Sequence, residues 1–543
     1  MNGADLLVAE LQKKGVAFIA TLCGHGLDDL DDACDRAGMR LVDVRNEQAA
    51  GYIAEAVGRL NRTVGVCAAS SGVAHVNALT GVCNAHFDGA PMLLITGSGP
   101  SGTAGLGHFQ DLDQVAIAAP LCKYAETIHH PGRIPQTLHE AFEAAMSGRP
   151  GPVHLTVPQD VLGAEIHADA VVRVHDTGHP APTISLGPPE AIERMADLIS
   201  QSVRPLLVAG SGTHYADGSA ALAEFTRTLD VPVVVPIWDR GAITKPMETF
   251  MGVVGAASGG PRLLPDADLV LLAGAVCDYR VGYLQPPAVH PDATLVRIHA
   301  DAFQVNHGAG GHLRVTADPG SALTQLTEAA KSRKTAPRTA WLEEAARRRD
   351  AYFRQCVAAR KGNGLHALDI IHAVQAVLTD DTMVIIDGGN IGQWAHQILC
   401  DRYPGHWLTC GASGVVGYGI PAAMAARLLY PDRHVILISG DGALTFTVAE
   451  LEAAARQGLP FVVLLADDEA WGITLTGHEA RYGRGITSEL GPIDYAGMAE
   501  AFGARGTHIE HAGQILPALR DSLGAKQPTL IHVPVVRSSP TDG

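Results

Sequence analysis

The chain is short of everything that would tie it to nucleic acid or a membrane. Lys and Arg number 40 against 57 Asp and Glu in 543 residues, a net charge of −17, whereas binding phosphate backbones at scale needs a basic surface. No apolar run approaches the roughly 18 residues of a transmembrane helix. None of the nine cysteines forms a CxxC pair, so neither a zinc ribbon nor a dithiol redox site is indicated. The 25 histidines include no HExxH or comparable ligand spacing. The opening MNGADLLVAELQKKG is an amphipathic helix start without the regions of a signal peptide. Together with the odd cysteine count, this leads us to expect reduced thiols and a cytoplasmic location. Partners are therefore expected to be small molecules, not nucleic acid or membrane.

Hydrophobic residues make up 47% and charged residues 18%, the balance of a globular chain. Short runs of Val, Ile and Leu bounded by Gly, Pro or Asp recur throughout, for example 205–209, 269–273, 382–386, 434–439 and 461–466. Such runs read as strands buried on both faces of a parallel sheet, with helices between them. The fold class is α/β, with doubly wound parallel-sheet domains. A polar, Pro-rich stretch at 166–190 and a basic one at 331–340 divide the chain into domains at 1–170, 188–332 and 358–535.

The strongest local signal is Gly440-Asp441-Gly442 at the end of the strand 434–439. Glycines permit close backbone approach, and a following helix favours negative charge at its N-terminus, as a phosphate requires. Thr447 and Glu450 have the spacing of a capping box, which predicts where that helix begins. An aspartate cannot itself attract phosphate, but it fits if a hard cation such as Mg²⁺ sits between them. The next strand ends in Asp467-Asp468-Glu469-Ala470. If the two strands are neighbours, Asp441 and Asp468 face one crevice and can share that cation. A plain strand-to-helix turn and a solvated acidic loop remain the alternatives.

This pairing resembles the cofactor motif of thiamine-diphosphate enzymes, Gly-Asp-Gly followed by Asn-Asn, with Asp467-Asp468 in the Asn-Asn place. The resemblance continues upstream. DVRNEQAAGYIAEAVG at 43–58 is similar to the segment around the family's catalytic glutamate, putting Glu47 on that glutamate and Asn46 where His is usual. Ala69–Asn77 resembles the Gly-rich turn that ends in Asn, and Gly411–Pro421 the loop that holds the pyrimidine. Phe109-Gln110-Asp111-Leu112-Asp113 resembles a segment of acetolactate (acetohydroxyacid) synthases, and the stretch after it the benzaldehyde lyase branch.

The resemblance implies three domains: pyrimidine-binding, central Rossmann-like and diphosphate-binding. It implies thiamine diphosphate and Mg²⁺ as cofactors. Metal ligands would be Asp441, Asp468 and the carbonyl of Ala470. Cofactor contacts would come from Glu47, Asn77, Gly389, Asn390, Gly414, Val416, Gly440, Asp441, Gly442, Asp468 and Ala470. Val416 would support the bent cofactor where Met, Leu or Ile is more common, and the Gly414 carbonyl would accept from the 4′-amino group. Glu47, Gln110, His25 and Ser70 would be catalytic. The implied reaction makes or breaks a C–C bond next to a carbonyl, through an enamine from a small 2-keto acid, with carboligation favoured. A 2-keto acid decarboxylase or an aldehyde lyase is the alternative; a catalytically silent paralogue acting as a binding or regulatory subunit is the alternative of another class. Relatives that act on acyl-CoA carry a longer C-terminal segment than the RSSPTDG found here, so a CoA substrate is not expected. FAD is an alternative that the weak signals Gly210-Ser211-Gly212 and Asp278-Tyr279-Arg280 do not favour. Homodimers or homotetramers are implied, with Glu47 and the diphosphate site contributed by different subunits.

Overall fold

A computed structural model describes residues 1–175, 184–239, 241–255, 260–308, 310–360, 363–399 and 407–538. Part of the linker expected at 166–190 and the end of the RSSPTDG tail lie outside the described residues. The described chain forms three six-stranded sheets. The first comprises β1 (Phe18–Leu22), β2 (Arg40–Asp43), β3 (Gly65–Ala69), β4 (Met92–Ser98), β5 (Tyr124–Thr127) and β6 (Pro152–Pro158). The second comprises β7 (Pro205–Ala209), β8 (Val233–Pro236), β9 (Phe250–Val254), β10 (Leu269–Ala273), β11 (Thr294–His299) and β12 (Leu313–Thr316). The third comprises β13 (Thr382–Ile386), β14 (Trp407–Thr409), β15 (His434–Gly440), β16 (Val462–Asp467), β17 (Arg505–His508) and β18 (Thr529–Pro534).

Every strand pair in the three sheets is parallel. Helices cover both faces, so the central strands are apolar along their whole length; all five residues of β10 are buried. The first sheet runs β2-β1-β3-β4-β6-β5 and the third β14-β13-β15-β16-β18-β17. Numbered within each sheet, these are the same order, 2-1-3-4-6-5. The second runs β9-β8-β7-β10-β11-β12, the 3-2-1-4-5-6 order of dinucleotide-binding folds.

The first and third domains share one core. The helix Glu47–Asn61 packs on the helix Gly419–Leu429, with Ala49, Ile53 and Ala56 in the same cluster as Ile420, Ala423 and Met424. Inside this contact Tyr418 donates to Glu55 at 2.7 Å. Arg59 donates to Glu55 and Asp88, both at 3.2 Å, and to the Thr409 carbonyl at 2.8 Å. A buried charge left alone would be costly, so this mutual satisfaction is what lets charged groups sit in the seam.

The capping box expected at Thr447 and Glu450 does not form. A one-turn helix spans Asp441–Thr445, and the next, Glu450–Arg456, begins after Ala449 without a side-chain cap. Thr447 instead donates to the Gly417 carbonyl at 2.8 Å, and the Glu450 carboxylate accepts the Arg45 N–H at 3.0 and 3.1 Å. Glu450 is taken by the seam between domains and Thr447 by the Gly417 turn of its own domain, and these partners outcompete the local cap. No helix among the described residues is long and apolar enough to cross a membrane.

Candidate active site

Two groups of side chains stand at the carboxyl ends of strands, where open α/β sheets bind ligands. The first group follows β1, β2, β3 and β4. Glu47 opens the helix after β2, with Asn46 capping it through Gln48 N–H, and the Glu47 carboxylate accepts from Asn77 Nδ2 at 3.1 Å. Ser70 is buried on the turn after β3. Gln110 lies in the loop after β4 with a left-handed φ of 56°, and its Oε1 accepts from Ser71 Oγ at 3.0 Å. Gly72 faces it; φ is 64° there, and a Cβ would lie 2.7 Å from Gln110 Cβ, so any other residue would push Gln110 away. His25, on the loop after β1, stacks on His108 and meets Phe109 edge-on, with ring centres 5.5 and 5.4 Å away. Its Nε2 is buried with no hydrogen-bond partner, a polar atom left for a ligand. Glu47, Asn77, His25, Ser70 and Gln110 are thus all carried on one sheet end.

Sequence reasoning missed Gln114. This buried amide accepts the Gly72 N–H at 2.9 Å and donates to the Gly97 carbonyl at 3.2 Å and Thr156 Oγ1 at 3.3 Å. It ties the Ser70–Gly72 turn to β4 and β6 and thereby places Gln110. Behind it, His75 and His154 share Thr96 Oγ1, at 3.1 and 3.0 Å. Burial drives the His75 pKa down to about 4 and holds His154 well below its ordinary value, where the neighbouring His75 adds to the effect. Both are neutral core histidines.

The second group follows β13, β15 and β16. Gly440 pairs with Ala466 in the register, so β15 and β16 are neighbours and deliver Asp441 and Asp468 to one place, as expected from the sequence. The Gly440 N–H donates to the Gly388 carbonyl at 3.1 Å, which brings the Gly388–Asn390 turn alongside. Asn390 Nδ2 donates to Asp468 at 3.3 Å, and the Ala470 N–H to Asp441 at 3.2 Å. Gly389 and Gly414 both have left-handed φ, 101° and 68°. Val416 packs on Gly388, and Gly442 lies against the Trp471 ring.

Burial, then the nearby Asp468, pushes the Asp441 pKa up to about 8. Burial raises Asp468 as well. Asp467 differs: burial pushes it up, but the His532 hydrogen bond at 2.8 Å and the Glu469 N–H at 3.1 Å hold it below its ordinary value. Asp467 is thus an internal anchor. Among the described residues no three His, Cys, Asp or Glu side chains converge as a metal site. The available donors are two carboxylates, the Ala470 carbonyl and Asn390 Oδ1, which is buried without a hydrogen-bond partner. All are oxygens, and they fit a hard divalent cation such as Mg²⁺ that is shared with a diphosphate.

No hydrogen bond or ion pair among the described residues joins the first group to the second within this chain. The central domain offers a third concavity of about 180 Å³, lined by Arg149, Ser211, Asp239, Arg280 and His299. It is smaller than the roughly 300–1,000 Å³ of drug-sized ligand pockets. Its arginines are also engaged: Arg280 pairs with Asp278 at 2.7 Å and Asp239 at 3.3 Å, and Arg149 donates to the His86 and Phe87 carbonyls. Gly210-Ser211-Gly212 owes its glycines to packing, since a Cβ on Gly212 would lie 2.7 Å from Gly274 Cα.

Comparison with known proteins agrees with this layout. Residues 1–117 match the family description "Thiamine pyrophosphate enzyme, N-terminal TPP binding domain", 192–326 the corresponding "central domain", and 387–533 the "C-terminal TPP binding domain". The chain is 30% identical to an acetolactate synthase large subunit of Parasynechococcus marenigrum over 99% of its own length and 88% of that protein. It is 28% identical to the acetolactate synthase isozyme 1 large subunit of Escherichia coli, over 98% and 93%. It is 29% identical to the 2-hydroxyacyl-CoA lyase 2 of Homo sapiens, over 100% and 91%.

Proposed function

Because this chain belongs to the thiamine pyrophosphate (thiamine diphosphate) enzymes, using that cofactor with Mg²⁺ to make or break carbon–carbon bonds, we propose that it is a carboligase. It would join a small 2-keto acid to a second carbonyl compound. Relatives named as synthases and as CoA lyases are equally similar to it, so resemblance does not choose between them. The observation that supports ligation is Gln110. Its Oε1 is committed to Ser71, so the neutral amide offers its N–H₂ to a carbonyl oxygen. A neutral donor orients a second carbonyl; it does not deliver the proton that would end the reaction as a simple decarboxylation.

When bound, thiamine diphosphate supplies the electron sink for this chemistry. The protein's part is to bind, orient and move protons. Asp441, Asp468 and the Ala470 carbonyl hold Mg²⁺, and Gly440 and Gly442 let the backbone come close to the diphosphate. Gly389 and Asn390 close the same end. The Gly414 carbonyl and Glu47 hold the pyrimidine, and Val416 sits beside the Gly388–Gly389 turn to limit how it lies. Asn77 keeps the Glu47 carboxylate in place to hold a proton at the pyrimidine N1′. His25 and Ser70 present polar atoms to the substrate beside Gln110.

The two groups are completed by a second copy of the chain, with Glu47 of one copy facing Asp441 of the other. Val73, Val76 and Phe109 near the first group, and Phe446 and Ile473 near the second, are large exposed apolar side chains of the kind that mark an interface. Light scattering at working concentration should give a dimer or tetramer.

The deciding experiment supplies 2-keto acids singly and with aldehydes and identifies the products. Hydroxy ketones from paired substrates are expected. Aldehyde and CO₂ alone would make it a decarboxylase, and aldehydes released from hydroxy ketones would make it a lyase. Glu47→Gln should retain the cofactor by calorimetry and lose roughly 10²–10⁴-fold in turnover, the usual contribution of a proton-transfer group. Ordinary turnover in that variant would remove Glu47 from the mechanism.

A further inference from the structure

Three aspartates end β15 and β16, and the protein treats them differently. Asp467 is answered from within: His532 Nε2 lies 2.8 Å from its Oδ2, and the Glu469 N–H 3.1 Å from its Oδ1. Asp441 and Asp468 are held by longer, weaker contacts: the Ala470 N–H donates to Asp441 at 3.2 Å and Asn390 Nδ2 to Asp468 at 3.3 Å, with the Gly442 N–H and the Asp467 side chain also against Asp441 and the Ala470 N–H against Asp468. An ionised carboxylate has about four lone-pair sites, so accepting capacity is left on both. No ion pair among the described residues reaches either one. Arg537, the guanidinium beside them, donates to the carbonyls of Asp468 and Glu469 at 3.0 and 3.2 Å. Asn390 adds an independent sign. It is 7% exposed, its amide nitrogen points at Asp468, and its Oδ1 has no partner. A buried acceptor with nothing to accept from is rare enough to call for an unseen ligand, and beside two carboxylates that ligand is a cation.

We infer that this site takes its divalent cation, Mg²⁺ or Mn²⁺, without thiamine diphosphate, and that the cofactor docks onto the preloaded cation. The inference rests on reading this cluster as the diphosphate end of the site. Affinity for a hard cation rises with the charge of its ligands, and Asp441 with Asp468 offers a bound cation two carboxylates. The ionised Asp467 and the acidic side chains beside it repel a diphosphate that arrives first. With the cation seated, the pair is neutralised, and the diphosphate completes a coordination shell otherwise filled by water.

The test is calorimetry on chelator-stripped full-length protein, titrated with MgCl₂ or MnCl₂ alone, with thiamine diphosphate alone, and with both. Mn²⁺ spectra provide an independent count of bound cation. The expected result is saturable cation binding, one per chain, with no cofactor present, and no binding of cofactor alone. Asp468→Asn, nearly the same shape, should weaken cation-only binding about 10-fold or more while still binding cofactor once cation is supplied. Asn390→Ala should weaken it less, and thermal unfolding of the stripped variants checks that both are folded. Absence of cation binding without cofactor, or equal affinity in Asp468→Asn, overturns the inference. If cation and cofactor bind only together, the inference falls and the proposed function stands. If neither binds in any combination, the proposed function falls as well.

Discussion

The first and third sheets run their strands in one order and gather side chains at the same ends, yet the chemistry at those ends is opposite. At the first, Ser70, Ser71, Asn77, Gln110 and Gln114 are neutral, and Glu47 stands as a carboxylate tied to Asn77. At the third, Asp387, Asp441, Asp467, Asp468 and Glu450 crowd the strand ends and the seam. The buried titratable groups follow suit. Behind the first site they are histidines whose pKa is driven down; at the third they are carboxylates pushed up by burial, Asp387 to about 6, Glu450 to about 7 and Asp441 to about 8. Strand order thus decides where a site lies and leaves open what it binds. A neutral lining suits a pyrimidine ring and a carbonyl substrate. An acidic lining can take a diphosphate only through a cation.

The contrast breaks most completely at Asp441. Asp441→Ala should weaken Mg²⁺-assisted cofactor binding by more than the roughly 10–100-fold typical of supporting partners, as read by calorimetry. Binding close to that of the unaltered protein would mean that the third sheet needs no cation. On the first sheet the corresponding weak point is structural. Gln114→Leu strands the Gly72 N–H, the Gly97 carbonyl and Thr156, at about 1–3 kcal/mol for each buried group left unpaired. Urea unfolding should show a loss of at least about 3 kcal/mol, with cation binding at the third sheet unchanged. A simultaneous loss of cation binding would show that the two ends are not separable. Tyr418→Phe acts on the seam itself. It removes the hydroxyl that donates to Glu55, a bond to a charged group, and should cost about 1.5–3 kcal/mol in the same measurement. An unchanged midpoint would mean that Arg59 alone satisfies Glu55.

How much of this could be read from the chain depends on how far apart the partners lie. The runs at 205–209, 269–273 and 382–386 were legible to the residue, because strands buried on both faces announce themselves by unbroken apolar composition. The meeting of Asp441 and Asp468 was legible too, since consecutive parallel strands are commonly neighbours. Gln114, His532 and Glu450 were not. Their partners are 42, 65 and 405 residues away, and no local pattern distinguishes a glutamine that bridges two strands from one on a solvated turn. Thr447 shows the opposite error. Its spacing to Glu450 is right for a cap, but Gly417, 30 residues away, takes Thr447 and the first domain takes Glu450, partners that a local reading cannot see. The glycines of Gly210-Ser211-Gly212 were only a weak dinucleotide signal in the chain, and in the structure they make close contact with Gly274. The shared strand order of the first and third sheets leaves no trace in composition, because adjacency is a property of packing.

The mildest test asks whether acid and base loosen different sheets. His75 has a pKa of about 4 in the folded protein against an ordinary 6.5. Between those values the unfolded chain binds the proton and the folded one does not, so this contribution is full above pH 6.5 and is lost as pH falls toward 4. Glu450 runs the other way. Its folded pKa of about 7 against 4.5 means the folded state holds the proton longer, so its contribution is full below pH 4.5 and is lost as pH rises through 7. Asp387, at about 6 against 3.8, adds to the alkaline loss. Each group changes stability by at most about 1.4 kcal/mol per pH unit within its window. Hydrogen exchange at pH 5 and pH 8, read on peptides covering β3 to β6 and β13 to β16, should show protection falling at pH 5 in the first set and at pH 8 in the second. The Arg45 amide, held by Glu450 across the seam, should follow the second set although it belongs to the first domain. If both sheets lost protection at the same end of the range, the histidines and carboxylates would not be what separates them, and the difference between the two sites would be confined to their surfaces.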